Sequence, residues 1–188
     1  MPLDDVELAS LESGPIEPAF RWLRGLEDDA EGAWTGVDDD LRLWFALRWL
    51  EANPAALHHP VVTERDHEAL AAALAASGPR HPLFPSLWRV TRRGLIEALG
   101  PFLGQELSAS VRPRPLAPGL EVVRLFQASD LPPEEDGIRL WQPGVELPSL
   151  ALVMSQHGEG WRVHAPGAWL PVTSWPPGLD ELDVTLLD

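Results

Sequence analysis

The segment Leu150-Ala-Leu-Val-Met-Ser-Gln-His-Gly-Glu-Gly-Trp-Arg-Val-His-Ala-Pro166 carries the clearest structural signal in this sequence. Two short apolar runs flank a glycine-bearing turn, which is the pattern of a β-hairpin. Trp161 opens the second run, and we expect it to be mostly buried. The hairpin follows a long stretch that predicts helices. Helices followed by neighbouring strands indicate an α+β fold, with helices packed on one face of an antiparallel sheet.

Residues 15–105 predict helices through apolar residues at intervals of three and four. The first series begins at Ile16 and ends near Gly36. The acidic run Asp38–Asp40 directly precedes the second series, where its carboxylates can cap backbone N–H groups and complement the helix dipole. This second helix is apolar around most of its circumference, so we expect it to be largely buried. Asn53-Pro54 should end it.

Two further helices are predicted before the strands. Thr63 is placed to cap an Ala-rich helix, which Ser77-Gly-Pro79 should stop. The last helix runs from about Ser86 to Leu99. Three prolines between Val111 and Gly119 then indicate a connection.

Residues 118–166 predict an antiparallel sheet of about four strands, because short apolar runs alternate with turn residues. We treat residues 1–13 as an acidic arm and residues 168–188 as a Pro- and Trp-rich tail. At 188 residues, the chain has the length of one domain with a sizeable core. We therefore predict a single domain with the helices covering one sheet face.

Composition and charge exclude several classes of partner. The chain holds 29 acidic and 14 basic residues, all of the latter Arg, and its net charge of -15 should repel nucleic acids and anionic membranes. It has no Cys, which rules out disulfides and thiolate ligands. No signal peptide or membrane span is apparent, so we expect a cytoplasmic protein. The absence of Lys and the abundance of Ala and Pro predict a GC-rich, bacterial genome.

Three stretches resemble the superfamily of nuclear transport factor 2 and the SnoaL-like polyketide cyclases (NTF2-like). They are Gly158-Glu-Gly-Trp-Arg-Val-His164, the helical run Leu41–Leu50, and Glu31–Leu43 with its Ala-Trp pair ahead of Asp-Leu-Arg. The resemblance covers about residues 15–166 and implies a cone-shaped α+β fold. The superfamily contains both enzymes and non-catalytic binding modules, so the fold alone does not assign a function.

The resemblance also limits the possible chemistry. Sites of the ketosteroid-isomerase and scytalone-dehydratase kinds rely on Tyr, and this chain has none. An Asp-Arg-Asp water-activating triad could use Arg124 or Arg162, but no Asp occupies a comparable mid-strand position. The six His, including the pair His58-His59, do not form a recognisable metal motif. We therefore predict no catalytic set, no metal and no cofactor.

The candidate ligand-binding residues are Arg124, Trp141, Arg162 and His164, since side chains of these types on strands could line the interior of a cone. His164 could also act as a general base. The alternative, which the sequence favours, places Arg162 and His164 on the solvent face of their strand.

The predicted function is a non-catalytic binding or accessory module that holds a small hydrophobic ligand or a protein partner. The alternative is a cyclase, isomerase or hydrolase of the same fold acting on a hydrophobic metabolite. We also predict a homodimer formed through the second sheet face, because the strands carry a set of residues that is too apolar for both sheet faces to be solvated. In the competing arrangement, the tail from Ala168 covers this face within a monomer. The apolar set is Leu125, Trp141, Leu152 and Met154.

Overall fold

The structure is a computed structural model that describes residues 14–28, 30–64, 66–111, 114–132, 134–135, 138–139 and 147–167. The predicted arm, the predicted tail and Trp141 lie outside the described residues. Within them the helices precede the main sheet, which confirms the α+β class. No described helix is both long enough and apolar enough to cross a membrane.

Five α-helices occupy the N-terminal part of the described chain. Short 3-10 turns at Pro54–His58, Gly78–Arg80 and Gly100–Phe102 follow the last three of them. The helices are α1 (Ile16–Asp28), α2 (Ala30–Thr35), α3 (Asp39–Ala52), α4 (His67–Ser77) and α5 (Phe84–Leu99).

Carboxylates start two of these helices, one as predicted and one three residues later than predicted. Asp38 caps α3, and its Oδ1 accepts a hydrogen bond from the Leu41 N–H at 2.9 Å. Asp66, rather than Thr63, caps α4 by accepting from the Ala69 N–H at 2.8 Å. A cap must accept from an N–H two or three residues ahead, and Thr63 lies too far from the first turn. Gly78 ends α4 with a φ of 52°, a conformation that favours glycine.

The main sheet has four antiparallel strands in the order β1-β2-β5-β6. Its first edge strand comes from Leu107–Val111, ahead of the segment 118–166 in which we expected all of the strands. Ser108 and Ser110 alternate there with apolar residues, a weak period-two signal of a half-buried edge strand. The strands are β1 (Leu107–Val111), β2 (Leu120–Gln127), β3 (Glu134–Glu135), β4 (Ile138–Arg139), β5 (Ser149–His157) and β6 (Gly160–Pro166), and β3 with β4 forms a separate two-stranded ribbon.

Two irregularities occur on β6. Val153 pairs with Ala165 and Met154 with Val163, so His164 is the extra residue of a β-bulge. On the other side of β6, Val37 forms a parallel bridge with Val163. The Asp38 N–H donates to Val163 O at 3.0 Å, and the Val163 N–H donates to Gly36 O at 2.9 Å. The link between α2 and α3 therefore extends the sheet beyond β6.

The core lies between the helices and one face of the sheet. Alternate residues of β2 and β5, such as Val123 and Leu152, share one apolar cluster with α1, α3, α4 and α5. Trp161 packs against this cluster with most of its surface buried, as expected. The predicted burial of α3 is confirmed, since Leu41, Phe45 and Leu50 are all in the core.

The second face of the sheet carries a smaller apolar cluster. Val122, Ala151, Val153 and Ala165 form it, and all four are buried within the single chain. A second copy of the chain is therefore not required to shield these four positions from water. The homodimer stays a prediction.

Candidate functional site

A buried carboxylate and a buried histidine meet at the end of the link between α2 and α3. Asp38 is 2% exposed and His164 is 3% exposed. The bridge to Val163 places Asp38 beside β6, and the bulge brings His164 to the same position. Their side chains come within 2.6 Å, measured from Asp38 Oδ2 to His164 Nδ1.

Three hydrogen-bond donors contact the Asp38 carboxylate. Oδ1 accepts from the Leu41 N–H, and Oδ2 accepts from His164 Nδ1 and from the Ser155 hydroxyl at 2.7 Å. His157 Nε2 lies 3.0 Å from Ser155 Oγ. Because a hydroxyl has one proton and Ser155 gives it to Asp38, we infer that His157 Nε2 carries the proton in that second bond. A hydrogen-bonded chain thus runs from exposed His157 through Ser155 to Asp38.

The pKa of Asp38 is lowered from the ordinary value of 3.8. Burial alone raises it, because a buried charge loses hydration. The hydrogen bonds from His164, from the Leu41 N–H and from Ser155, together with the charge interaction with His164, outweigh that effect. Asp38 is therefore ionised in the folded protein, and its interactions favour the charged form.

The lowered pKa predicts a pH dependence of stability. A depressed carboxyl pKa stabilises the fold above the pKa of the unfolded chain, and this contribution is lost as the pH falls through the folded pKa. At neutral pH the free energy of unfolding of the wild type should exceed that of Asp38→Asn. This difference should shrink as the pH falls below about 4. Urea unfolding of both proteins across this range checks it. A difference that stays constant from neutral pH to the acid limit would contradict the coupling.

The arrangement does not form a hydrolytic triad. In a triad the histidine lies between the serine and the carboxylate, whereas here Ser155 lies between His157 and Asp38. Ser155 is 7% exposed, and neither it nor His164 lines either of the clefts described below. The network instead ties the first turn of α3 to β5 and β6.

A metal ion would have to compete with the same hydrogen bonds. One ligand atom each from Asp38, Asp40 and His164 lies within 4.8 Å of the other two. However, Asp38 Oδ2 and His164 Nδ1 are in direct contact, which is the geometry of a hydrogen bond. We therefore describe these residues as a hydrogen-bonded cluster.

A cleft of about 560 Å³ opens between α1, the α2 segment and β6. We call it the arginine cleft, because three guanidinium groups line it beside two indole rings. Its main lining residues are Arg21, Trp22, Arg24, Gly36, Trp161 and Arg162. Trp22 is buried, and its Nε1 has no hydrogen-bond acceptor in the described part of the chain. Buried donors of this kind are normally paired.

A second cleft of about 340 Å³ lies between α1 and the start of β1. Phe20, Leu23 and Phe102 supply apolar walls, while Arg24 and Glu27 contribute one charge of each sign. The two clefts therefore differ in charge, which makes the second one an internal comparison for the first.

The structure separates the residues that the sequence selected. Arg162 lines the arginine cleft, whereas His164 is buried on Asp38 and contradicts the solvent-face interpretation. Arg124 lies opposite Ala151 on β5, and Arg162 lies opposite Ser155, about 13 Å further along that strand. Arg124 donates to Ser149 Oγ at 3.2 Å and lines neither cleft.

The sequence missed most residues of these sites, among them Arg21, Arg24, Asp38, Ser155 and Trp22. Asp38 is predicted only as a cap, because its second oxygen binds residues more than a hundred positions away. Ser155 gives a weak signal, as the one polar residue that follows five apolar ones in β5. Trp22 belongs to a helical stripe that looks like ordinary core.

The comparisons with known proteins gave no match. No family model, no curated protein and no solved structure matches the chain.

Proposed function

We propose that this protein is a non-catalytic binding module that holds a small ligand in the arginine cleft. The observation that carries the proposal is the composition of the cleft walls, with Trp22 and Trp161 beside three arginines. Aromatic walls with a few convergent polar groups are typical of small-molecule sites.

The dimensions support this proposal. A volume of about 560 Å³ falls within the usual range for such sites, roughly 300–1,000 Å³. Trp161 is partly buried on the core, so its position is fixed while part of its surface stays accessible. A flat apolar group placed against it would lose water-exposed surface without reorganising the protein.

An enzyme is the second hypothesis that the sequence raised, and the buried cluster supports it less. A general base must reach the substrate proton directly or through one water. His164 and Ser155 line neither cleft, and their bonds to Asp38 explain their positions. The buried cluster therefore supplies no general base to the cleft for the cyclase, isomerase or hydrolase alternative.

The proposed fold family and assembly come from the sequence resemblance. We propose an NTF2-like member, since helices against a four-stranded antiparallel sheet are compatible with that superfamily and it includes binding modules. The homodimer, the cytoplasmic location and the bacterial source belong to the same proposal.

Tryptophan indole signals can test the binding function. We expect naphthalenemethanol, a neutral aromatic probe, to shift the indole N–H resonances of Trp161 and Trp22 in a ¹⁵N-labelled sample. An affinity in the micromolar to millimolar range is expected for a ligand of this size. Conservative Trp→Phe variants assign the two signals among the nine tryptophans.

Two controls make the experiment specific to the cleft. Thr35→Trp places a large ring at an exposed lining position and should abolish the shifts. Trp44 is also partly buried but lines neither cleft, so its signal should stay unchanged. Shifts that are equal at Trp44, or that survive Thr35→Trp, would count against the proposal.

A further inference from the structure

We infer that the ligand of the arginine cleft is a small organic anion, in which a carboxylate is joined to a flat apolar group. This inference rests on the proposed function and specifies the chemical class of its ligand. The carboxylate would lie among Arg21, Arg24 and Arg162, and the flat group would lie against Trp161.

The residues that line the arginine cleft carry a charge opposite in sign to the net charge of the chain. Acidic residues outnumber basic ones by 29 to 14 over the chain, yet the cleft is lined by three arginines and one carboxylate, that of Asp28. The net charge of -15 repels an approaching anion on average. The arginine cleft is thus a place where its charge is stabilised.

On the α1 side of the cleft, one carboxylate is shared between two arginines. Glu17 Oε1 lies 3.0 Å from Arg24 Nη2 and 3.7 Å from Arg21 Nη2, so one negative charge serves two guanidinium groups. Glu17 alone therefore does not neutralise both guanidinium groups.

On the β6 side of the cleft, the Asp39 carboxylate is likewise shared between two arginines. Asp39 Oδ1 accepts a hydrogen bond from Arg42 Nη1 at 3.1 Å, while Arg162 Nη1 is 3.9 Å from the same oxygen. The longer distance exceeds hydrogen-bond range, so the Arg162 guanidinium keeps donors for another acceptor. Its side chain is 39% exposed, which leaves it accessible yet partly shielded from water.

The guanidinium groups of the cleft favour a hydrogen-bond acceptor with two adjacent oxygens. A guanidinium group presents parallel N–H donors that match the two oxygens of a carboxylate, and such charge-assisted bonds are stronger than neutral ones. Trp22 and Trp161 add aromatic surface to the cleft wall. The groups that the cleft offers are thus donors and aromatic surface, which a carboxylate on a flat ring complements.

Three matched probes test the inference by isothermal titration. Naphthoate, naphthalenemethanol and naphthylmethylammonium share one ring system and differ in charge. We expect naphthoate to bind about tenfold more tightly than the neutral probe, and the cation to bind most weakly. Raising the salt concentration from about 20 mM to about 500 mM should weaken naphthoate alone.

Variants locate the effect at the cleft. Arg162→Gln should weaken the binding of naphthoate about five- to tenfold and weaken the neutral probe clearly less, because only the anion uses the paired donors. Arg162→Lys should retain part of the affinity, since it keeps the charge but not the paired donors. Arg93→Gln is the control for net charge, because Arg93 pairs with Glu97 on exposed α5.

The outcomes separate the two proposals. If naphthalenemethanol binds and naphthoate binds no more tightly, the anion is excluded while the binding function stands. Equal losses from Arg162→Gln and Arg93→Gln would also overturn the anion site, since only the overall charge would then matter. If no probe binds at all, the proposed function itself fails.

Discussion

Replacing Asp38 by Ala should lower the free energy of unfolding by about 3–5 kcal/mol. The substitution removes the acceptor from two buried donors, His164 Nδ1 and the Ser155 hydroxyl. It also removes the cap that accepts from the Leu41 N–H at the start of α3. The lost charge-assisted bond of buried His164, the lost acceptor of Ser155, whose hydroxyl still has His157 Nε2 at 3.0 Å, and the lost cap together account for an effect of this size. Urea unfolding at neutral pH measures it.

Two further substitutions distinguish the loss of the buried network from the loss of a charge or of the helix cap. Asp39→Ala changes the same charge one position away, where the side chain is 80% exposed, and should cost at most about 1 kcal/mol. Asp38→Asn keeps a residue suited to the cap but not the charge, so its cost should lie between the other two. If Asp38→Ala proved as mild as Asp39→Ala, the buried network would not stabilise the fold.

Local patterns in the sequence predicted most of the fold. Apolar spacing of three and four gave the helices, and Asp38–Asp40, Asn53-Pro54 and Gly78 marked helix ends correctly because caps act within one turn. The glycine turn of residues 157–160 likewise specified the β5-β6 hairpin. Such signals are short-range, so a single sequence contains them.

The rest of the structure depends on contacts between distant segments. Nothing local shows that Val37 pairs with Val163, or that the bulge at His164 turns a strand residue toward Asp38. The arginine cleft combines residues from α1 and β6, and its charge becomes visible only when Arg21 and Arg162 lie on the same cleft. The strand position of Arg162 identified it as a candidate, but the sequence could not show which residues surround it.

Trp34→Ala should be similarly destabilising, at about 3–5 kcal/mol, for reasons of packing rather than charge. Trp34 is 2% exposed and meets Phe84 and Trp88 edge-on, with ring centroids 5.0 Å and 5.7 Å away. Truncation would leave a large cavity among rigid aromatic neighbours, which cannot collapse to fill it. Thermal or urea unfolding measures the loss, and partly buried Trp44→Ala should cost no more than about 2 kcal/mol.

Gly78 provides an independent check on how tightly Trp34 is enclosed. A Cβ at this position would lie 2.5 Å from Trp34 Nε1, and the φ of 52° is unfavourable for Ala. Gly78→Ala alone should therefore cost about 2–4 kcal/mol, from backbone strain plus overpacking. In the Trp34→Ala background the steric part disappears and the backbone part remains, so the same substitution should cost at least about 1 kcal/mol less. Strict additivity of the two losses would show that the ring and the glycine do not share this packing constraint.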